Sequence, residues 1–295
     1  MSKAIIRTAL IQHCDHGDVG NNLDYIAGEI GAAAAQGVRL VLLQELHNHA
    51  YFCQTEDAGH FDLAEPIPGP TTSELSRLAR HHGLVVVGSV FERRATGLYH
   101  NTAVVLEADG SLAGRYRKMH IPQDPGYQEK FYFTPGDQGF HPIATSVGRL
   151  GVMVCWDQWF PEAARLMALA GADMLLYPTA IGWDARDGAA ERVRQQEAWL
   201  TVQRGHAIAN GIPLMCCNRS GFEAAPRPDD PGIHFWGHSF ACGPQGELLG
   251  SAGPNPETLI VDIDTGRAEH VRRIWPFLRD RRIDAYQQLV ERLLD

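Results

Sequence analysis

A chain of 295 residues, 44% hydrophobic and 21% charged, can bury a large core and lacks the low-complexity tracts of a disordered protein. Its net charge of −9 argues against nucleic acid and anionic membrane surfaces as partners. No apolar stretch approaches a membrane span, and the N-terminus runs straight into a strand rather than a signal peptide. The six cysteines, at 14, 53, 155, 216, 217 and 242, show no framework spacing, so reduced thiols in a cytoplasm are expected.

Taken in order, residues 4–11 read as a strand. Asn21 or Asn22 then caps a helix whose apolar side is Leu23, Ile26, Ala27, Ile30 and Ala34, ending at Gly37. Residues 38–43 form an aliphatic strand that delivers Gln44 and Glu45 at its end. Thr71 with Glu74 three residues later makes a capping box for a helix running to His82 and stopped by Gly83. Strands follow over 84–91 and 101–106, and Asp109-Gly110 turns the chain into a strand over 111–117, closed by Lys118. Residues 119–139 are rich in proline and glycine but also hold Tyr127, Phe131, Tyr132 and Phe133, which predicts a packed, functional loop.

Residues 150–154 read as a buried strand ending at Cys155, Pro161-Glu162 opens a helix that Gly171 ends, and 174–177 start another strand. A helix over 189–210, a strand over 213–217, a loop over 218–232, a hairpin around Gly243-Pro244-Gln245-Gly246 and a strand over 258–263 complete the body. Residues 282–294 are expected to form an amphipathic helix with Leu289, Val290, Leu293 and Leu294 on one face, contributing to subunit contacts within a segment of about 270–295. No linker breaks the alternation, so a single domain over 1–295 is expected, α/β in class, with two packed sheets flanked by helices. No glycine-rich phosphate fingerprint follows the first strand.

Glu45, Lys118 and Cys155 each terminate an apolar strand, the end at which α/β proteins bind ligands. Seen singly, they also read as an exposed strand-end acid, a solvated turn lysine and a buried structural thiol. Their settings, Leu42-Leu43-Gln44-Glu45-Leu46, Tyr116-Arg117-Lys118-Met119-His120-Ile121-Pro122 and Gly151-Val152-Met153-Val154-Cys155-Trp156-Asp157, resemble in order and spacing the acid, lysine and nucleophile motifs of the nitrilase (carbon–nitrogen hydrolase) superfamily, over essentially the full chain. The stretches 51–54, 125–133, 155–165 and 177–182 resemble its N-carbamoylputrescine amidohydrolase branch, whereas 222–233 match less well.

The resemblance implies a four-layer α-β-β-α sandwich of two mixed sheets and a covalent mechanism. Cys155 is the implied nucleophile, Glu45 the general acid–base, Lys118 and the backbone N–H of Trp156 the oxyanion donors, and Glu129 a second glutamate supporting Lys118. A nearby ammonium and a helix N-terminus are expected to favour the Cys155 thiolate. No metal or organic cofactor is implied. The partners implied are a carbamoylated diamine and, in a homo-oligomer, further copies of the chain.

A terminal ammonium on the substrate calls for a carboxylate and aromatic walls: Asp157, Asp184, Asp187 and Glu223 are candidates for the first, with Tyr51, Trp156, Trp159 and Trp183 for the second. A β-ureido acid substrate would instead need a cation, for which Arg219 is available. Other readings are a metal site at His47, His49 and Cys53, a redox pair at Cys216 and Cys217, and a catalytically dead scaffold of the same fold. Pocket histidines, core thiols on opposite strand faces and the complete triad are the preferred accounts.

Overall fold

The structure, a computed structural model, describes residues 5–226 and 230–294. Ala4, loop residues 227–229 and Asp295, included in the expectations above, lie outside the described residues.

Strands β1 (Ile5–Gln12), β2 (Leu40–Leu43), β3 (Val85–Ala95), β4 (Leu98–Leu106) and β5 (Leu112–Arg117) lie in the first half, with helices α1 (Val19–Ala34) and α2 (Pro70–His82). Next come the short helix α3 (Glu129–Tyr132), β6 (Ile143–Thr145), β7 (Gly148–Val152), α4 (Pro161–Leu169), β8 (Met174–Thr179), β9 (Gly182–Asp184) and α5 (Ala189–Asn210). The remainder comprises β10 (Leu214–Asn218), β11 (Ser220–Glu223), β12 (Ile233–Trp236), β13 (Phe240–Cys242), β14 (Leu248–Ser251), β15 (Glu257–Asp264) and α6 (Thr265–Ile274).

Two six-stranded sheets result, ordered β15-β1-β2-β3-β4-β5 and β14-β13-β10-β8-β7-β6. In each the central three strands run parallel, β1, β2 and β3 in one and β10, β8 and β7 in the other, with antiparallel strands outside them. Parallel strands covered on both faces require aliphatic side chains on both, which is why β2 is Leu-Val-Leu-Leu and fully buried. The alternation sorts them: Leu40, Leu42, Val85 and Val87 join the core between the sheets, whereas Val41, Leu43 and Val86 pack on α1 and α2. On the far side, Ala163, Ala164 and Met167 of α4 and Trp199 and Ala207 of α5 pack against the second sheet. This is the expected four-layer α-β-β-α sandwich. Among the described residues no helix is long and apolar enough to cross a membrane.

Four details depart from the sequence expectation. Asp18, not Asn21 or Asn22, caps α1: its Oδ1 accepts from the Asn21 N–H at 2.8 Å, while Asn22 is buried and bridges to the preceding loop. Helix α2 begins at Pro70, a residue suited to the first turn, so Thr71 sits inside the helix and donates to Glu65. The stretch expected as loop contains β11, which pairs with β12, and β12 with β9, as a small third sheet. The C-terminal stretch is not an α-helix but two single 3₁₀ turns, Ile283–Ala285 and Gln287–Val290, with Leu289, Val290, Leu293 and Leu294 exposed. A helix this short has little stability without a surface for its apolar face.

Candidate active site

The three strand ends converge. Glu45 follows β2, and its N–H donates to the Thr179 carbonyl at the end of β8, tying one sheet to the other. Lys118 follows β5, with its N–H on the Asn101 carbonyl. Its ammonium, wholly buried, donates to Glu45 Oε1 at 2.7 Å and to Glu129 Oε2 at 2.6 Å. Asn101 donates a second bond to Glu45 Oε1 at 2.6 Å, and the Tyr51 hydroxyl donates to Glu129 Oε1 at 2.7 Å. Glu45 Oε2, by contrast, is buried with no hydrogen-bond partner among the described residues, and so can take up a proton.

Cys155 opens a short 3₁₀ helix, Cys155–Trp159, three residues beyond the end of β7. Its φ of 44° lies in the left-handed region that a residue with a Cβ rarely adopts, a strain typical of functional positions. One side chain holds this turn. Asp157 accepts from the Val154 N–H and the His120 N–H at 3.0 Å each, from His120 Nδ1 at 2.6 Å and from the Tyr116 hydroxyl at 2.8 Å. A carboxylate with all its lone-pair directions used is not free for a substrate amine, so the expectation for Asp157 is corrected: it positions the turn that carries Cys155.

The charges form a dry cluster of two carboxylates and one ammonium. Burial alone would push Lys118 down, but the adjacent Glu129 and Glu45 carboxylates hold it well above its usual range, so it stays charged. Glu129 is pushed up to about 7, by burial first and by Glu45, against the pull of Lys118. Cys155 is also pushed well up, by burial and then by Glu45, with Lys118 opposing. The resting group is therefore the thiol, which corrects the expected thiolate: desolvation outweighs the ammonium, and α4 begins six residues further on. A thiol in this state needs a base to act as a nucleophile, and Glu45, with its unpartnered Oε2, is the candidate for that role.

A cavity of about 640 Å³ opens onto Cys155 and Glu129. Trp156, Trp159, Ile181 and Trp236 give it an apolar wall, while Asp187 just before α5 and Glu191, Arg194 and Gln195 on its first turns add polar groups. Other sequence candidates lie elsewhere. Tyr51 is buried behind Glu129 and packs on Tyr127 and Phe235, so it is a support rather than a wall. Trp183 lines the neighbouring groove, stacked on His234 and donating to the Arg192 carbonyl. Glu223 pairs with Arg219 at 2.6 Å and accepts from the Tyr51 N–H, which corrects its assignment to substrate.

Arg219, buried, also donates to the carbonyls of Leu46 and His49, bracing the loop after Glu45, and it does not line the cavity that opens onto Cys155. His47 accepts from the Ser89 N–H, and Cys53 lies in an aromatic cluster with Phe52 and Tyr132. Among the described residues no group of three or more His, Cys, Asp or Glu is disposed to hold a metal ion. Asn101 was not anticipated. Its signal was faint, a polar residue at the start of an otherwise aliphatic strand.

A four-layer sandwich with a cysteine, a glutamate and a lysine just past its strand ends, and a second glutamate opening α3, is the setting of a hydrolase of non-peptide C–N bonds. The carbon-nitrogen hydrolase family matches residues 7–273, and the chain belongs to it. It is 41% identical over 289 residues to an N-carbamoylputrescine amidase of Solanum lycopersicum, covering 97% of this chain and 95% of that one. It is 37% identical to a citrullinase of Francisella tularensis over 98% of this chain and 99% of the other. Among solved structures, a carbon-nitrogen hydrolase from Helicobacter pylori superimposes with a TM-score of 0.97 at 52% identity, covering 99% and 100% of the two chains.

Proposed function

We propose that the protein is an amidohydrolase that cleaves the terminal ureido C–N bond of N-carbamoylputrescine, giving putrescine, ammonia and carbon dioxide. The observation that carries this reading is the cavity itself: one lining holds the buried Cys155 thiol, Glu129 of the carboxylate–ammonium cluster, an apolar wall of tryptophans, and further acidic groups. The plant relatives of that name support it.

Cys155 Sγ attacks the ureido carbonyl carbon as Glu45 takes the thiol proton. The oxygen becomes an oxyanion facing the Lys118 ammonium and the Trp156 N–H, in the first turn of a helix where such groups lack internal partners. Each such donor contributes about 3–4 kcal/mol in comparable sites. Collapse expels ammonia with the proton returned by Glu45, leaving an S-carbamoyl enzyme. Water, deprotonated by Glu45, then attacks the same carbon and releases the thiol and an N-carboxy amine, which loses carbon dioxide to give the diamine.

Citrulline is the second reading, because it too carries a terminal ureido group and Arg194 lines the cavity as a cation for its carboxylate. Ammonia release from carbamoylputrescine, citrulline and carbamoyl-β-alanine separates the readings: the first should dominate in kcat/KM, and preference for either acid overturns the proposal. Cys155→Ala should abolish turnover of every substrate while leaving the circular dichroism unchanged. The same reading takes the chain to a homo-oligomer in the cytoplasm, supported by exposed Ile274, Trp275 and Phe277 beside the apolar C-terminal stretch.

A further inference from the structure

We propose that Asp187 is the specificity residue of this cavity: its carboxylate receives the distal ammonium of the substrate, and Gln195 holds it in place. The inference rests on the functional reading above and decides among the acids that line the cavity. Glu129 is committed to Lys118 and Tyr51. Asp184 is paired with Arg186, and Glu191 with Arg194 at 2.5 Å, so a cation approaching either must displace a guanidinium. Asp124 is exposed on a tight turn, where water and salt screen it.

Asp187 differs on each count. It is half-buried, and its Oδ2 accepts from Gln195 Nε2 at 3.0 Å, a neutral donor that fixes the carboxylate without cancelling its charge. Arg186, its neighbour in the chain, places its guanidinium on the Asp184 carboxylate, and Arg192 spends its Nε on the Asp187 backbone carbonyl, so neither hydrogen-bonds the Asp187 carboxylate. Glu191, Gln195 and Ala198 follow at intervals of three or four residues, so one face of α5 runs from Asp187 along the cavity. A substrate with its ureido carbon at Cys155 lays its methylenes against Trp156, Trp159 and Ile181 and carries its cation toward that face. The negative end thus rejects a chain ending in a methyl or a carboxylate more than one ending in an ammonium.

The test compares carbamoylputrescine with N-pentylurea, which replaces the ammonium by a methyl group. Asp187→Asn should raise KM for carbamoylputrescine about ten- to a hundredfold, the size of a charge-assisted contact, with kcat little changed. N-pentylurea should be hydrolysed equally by both enzymes. Asp262→Asn, which removes an exposed acid on β15 outside the cavity, should leave both substrates unaffected. An unchanged KM in Asp187→Asn, or an equal loss on both substrates, overturns the assignment while leaving the amidohydrolase reading intact. Failure of the wild-type enzyme to prefer carbamoylputrescine over N-pentylurea overturns the functional reading and this assignment together.

Discussion

Glu129 belongs to the buried charge cluster, bonded to Lys118 and to the Tyr51 hydroxyl. It shares the Lys118 ammonium with Glu45, and the three buried groups together carry one net negative charge when fully ionised. A dry cluster of that kind takes up a proton readily, in line with the rise of Glu129 to about 7, and the uptake belongs to the group rather than to one residue. The acid limb of kcat/KM should therefore fall near neutral pH. In Glu129→Gln the surviving Glu45–Lys118 pair is neutral and holds a proton less readily, so the limb should move to lower pH while kcat drops. A pH–rate profile checks both; a limb that stays where it was would show that Glu129 does not titrate with the cluster. Asp157 makes the opposite point about reading single residues. Its carboxylate follows the nucleophile so closely that sequence suggested a substrate contact. Its donors, Tyr116 and His120, sit 41 and 37 residues upstream, and no local pattern announces them.

At the scale of elements, what could be read was what a local rule dictates. Buried parallel strands must be aliphatic on both faces, so β2 and β7 and the residues that leave them were visible as runs with a functional group at the end. The third sheet was not, because β9 and β12 are only three and four residues long and meet across some fifty residues of chain. The C-terminal stretch was misread for a related reason: its periodicity is helical, but periodicity specifies a helix only where something covers the apolar face. Burying a Leu or Val side chain contributes about 1.5–3 kcal/mol. Leu289, Val290, Leu293 and Leu294 together therefore do little more than offset an association cost of about 4–15 kcal/mol. Ile274, Trp275 and Phe277, and Leu166 and Leu169 on α4, would have to supply the surplus. Ending the chain at Arg281 should thus shift light-scattering mass toward smaller species without loss of sheet or helix signal. An unchanged mass would mean that this segment takes no part in assembly.

Across the whole molecule, the interior is acid-sensitive by construction. His13, His47 and His49 surround the loop that presents Glu45, and burial holds them down to about 3, about 3 and about 4, with the nearby Arg219 charge adding to the effect. In the unfolded chain each titrates near 6.5, so below that pH the unfolded state binds up to three protons that the native state refuses. Stability from these groups is present above pH 6.5 and lost as pH falls toward 4. Glu129 acts in the other direction: its native value near 7 exceeds the ordinary 4.5, so between those values the native state binds one extra proton. One proton against three leaves a net loss, on the order of 3 kcal/mol between pH 7 and pH 5 at about 1.4 kcal/mol per proton per pH unit. Against a native stability of roughly 5–15 kcal/mol that is a large fraction. The urea midpoint should accordingly be distinctly lower at pH 5 than at pH 7 with an unchanged slope. His47→Asn, which keeps an acceptor for the Ser89 N–H, should lower the midpoint at pH 7 yet make its fall toward pH 5 shallower. A midpoint that holds or rises at pH 5 would mean that these histidines are protonated in the folded protein, and that the buried loop behind Glu45 is wetter than its packing implies.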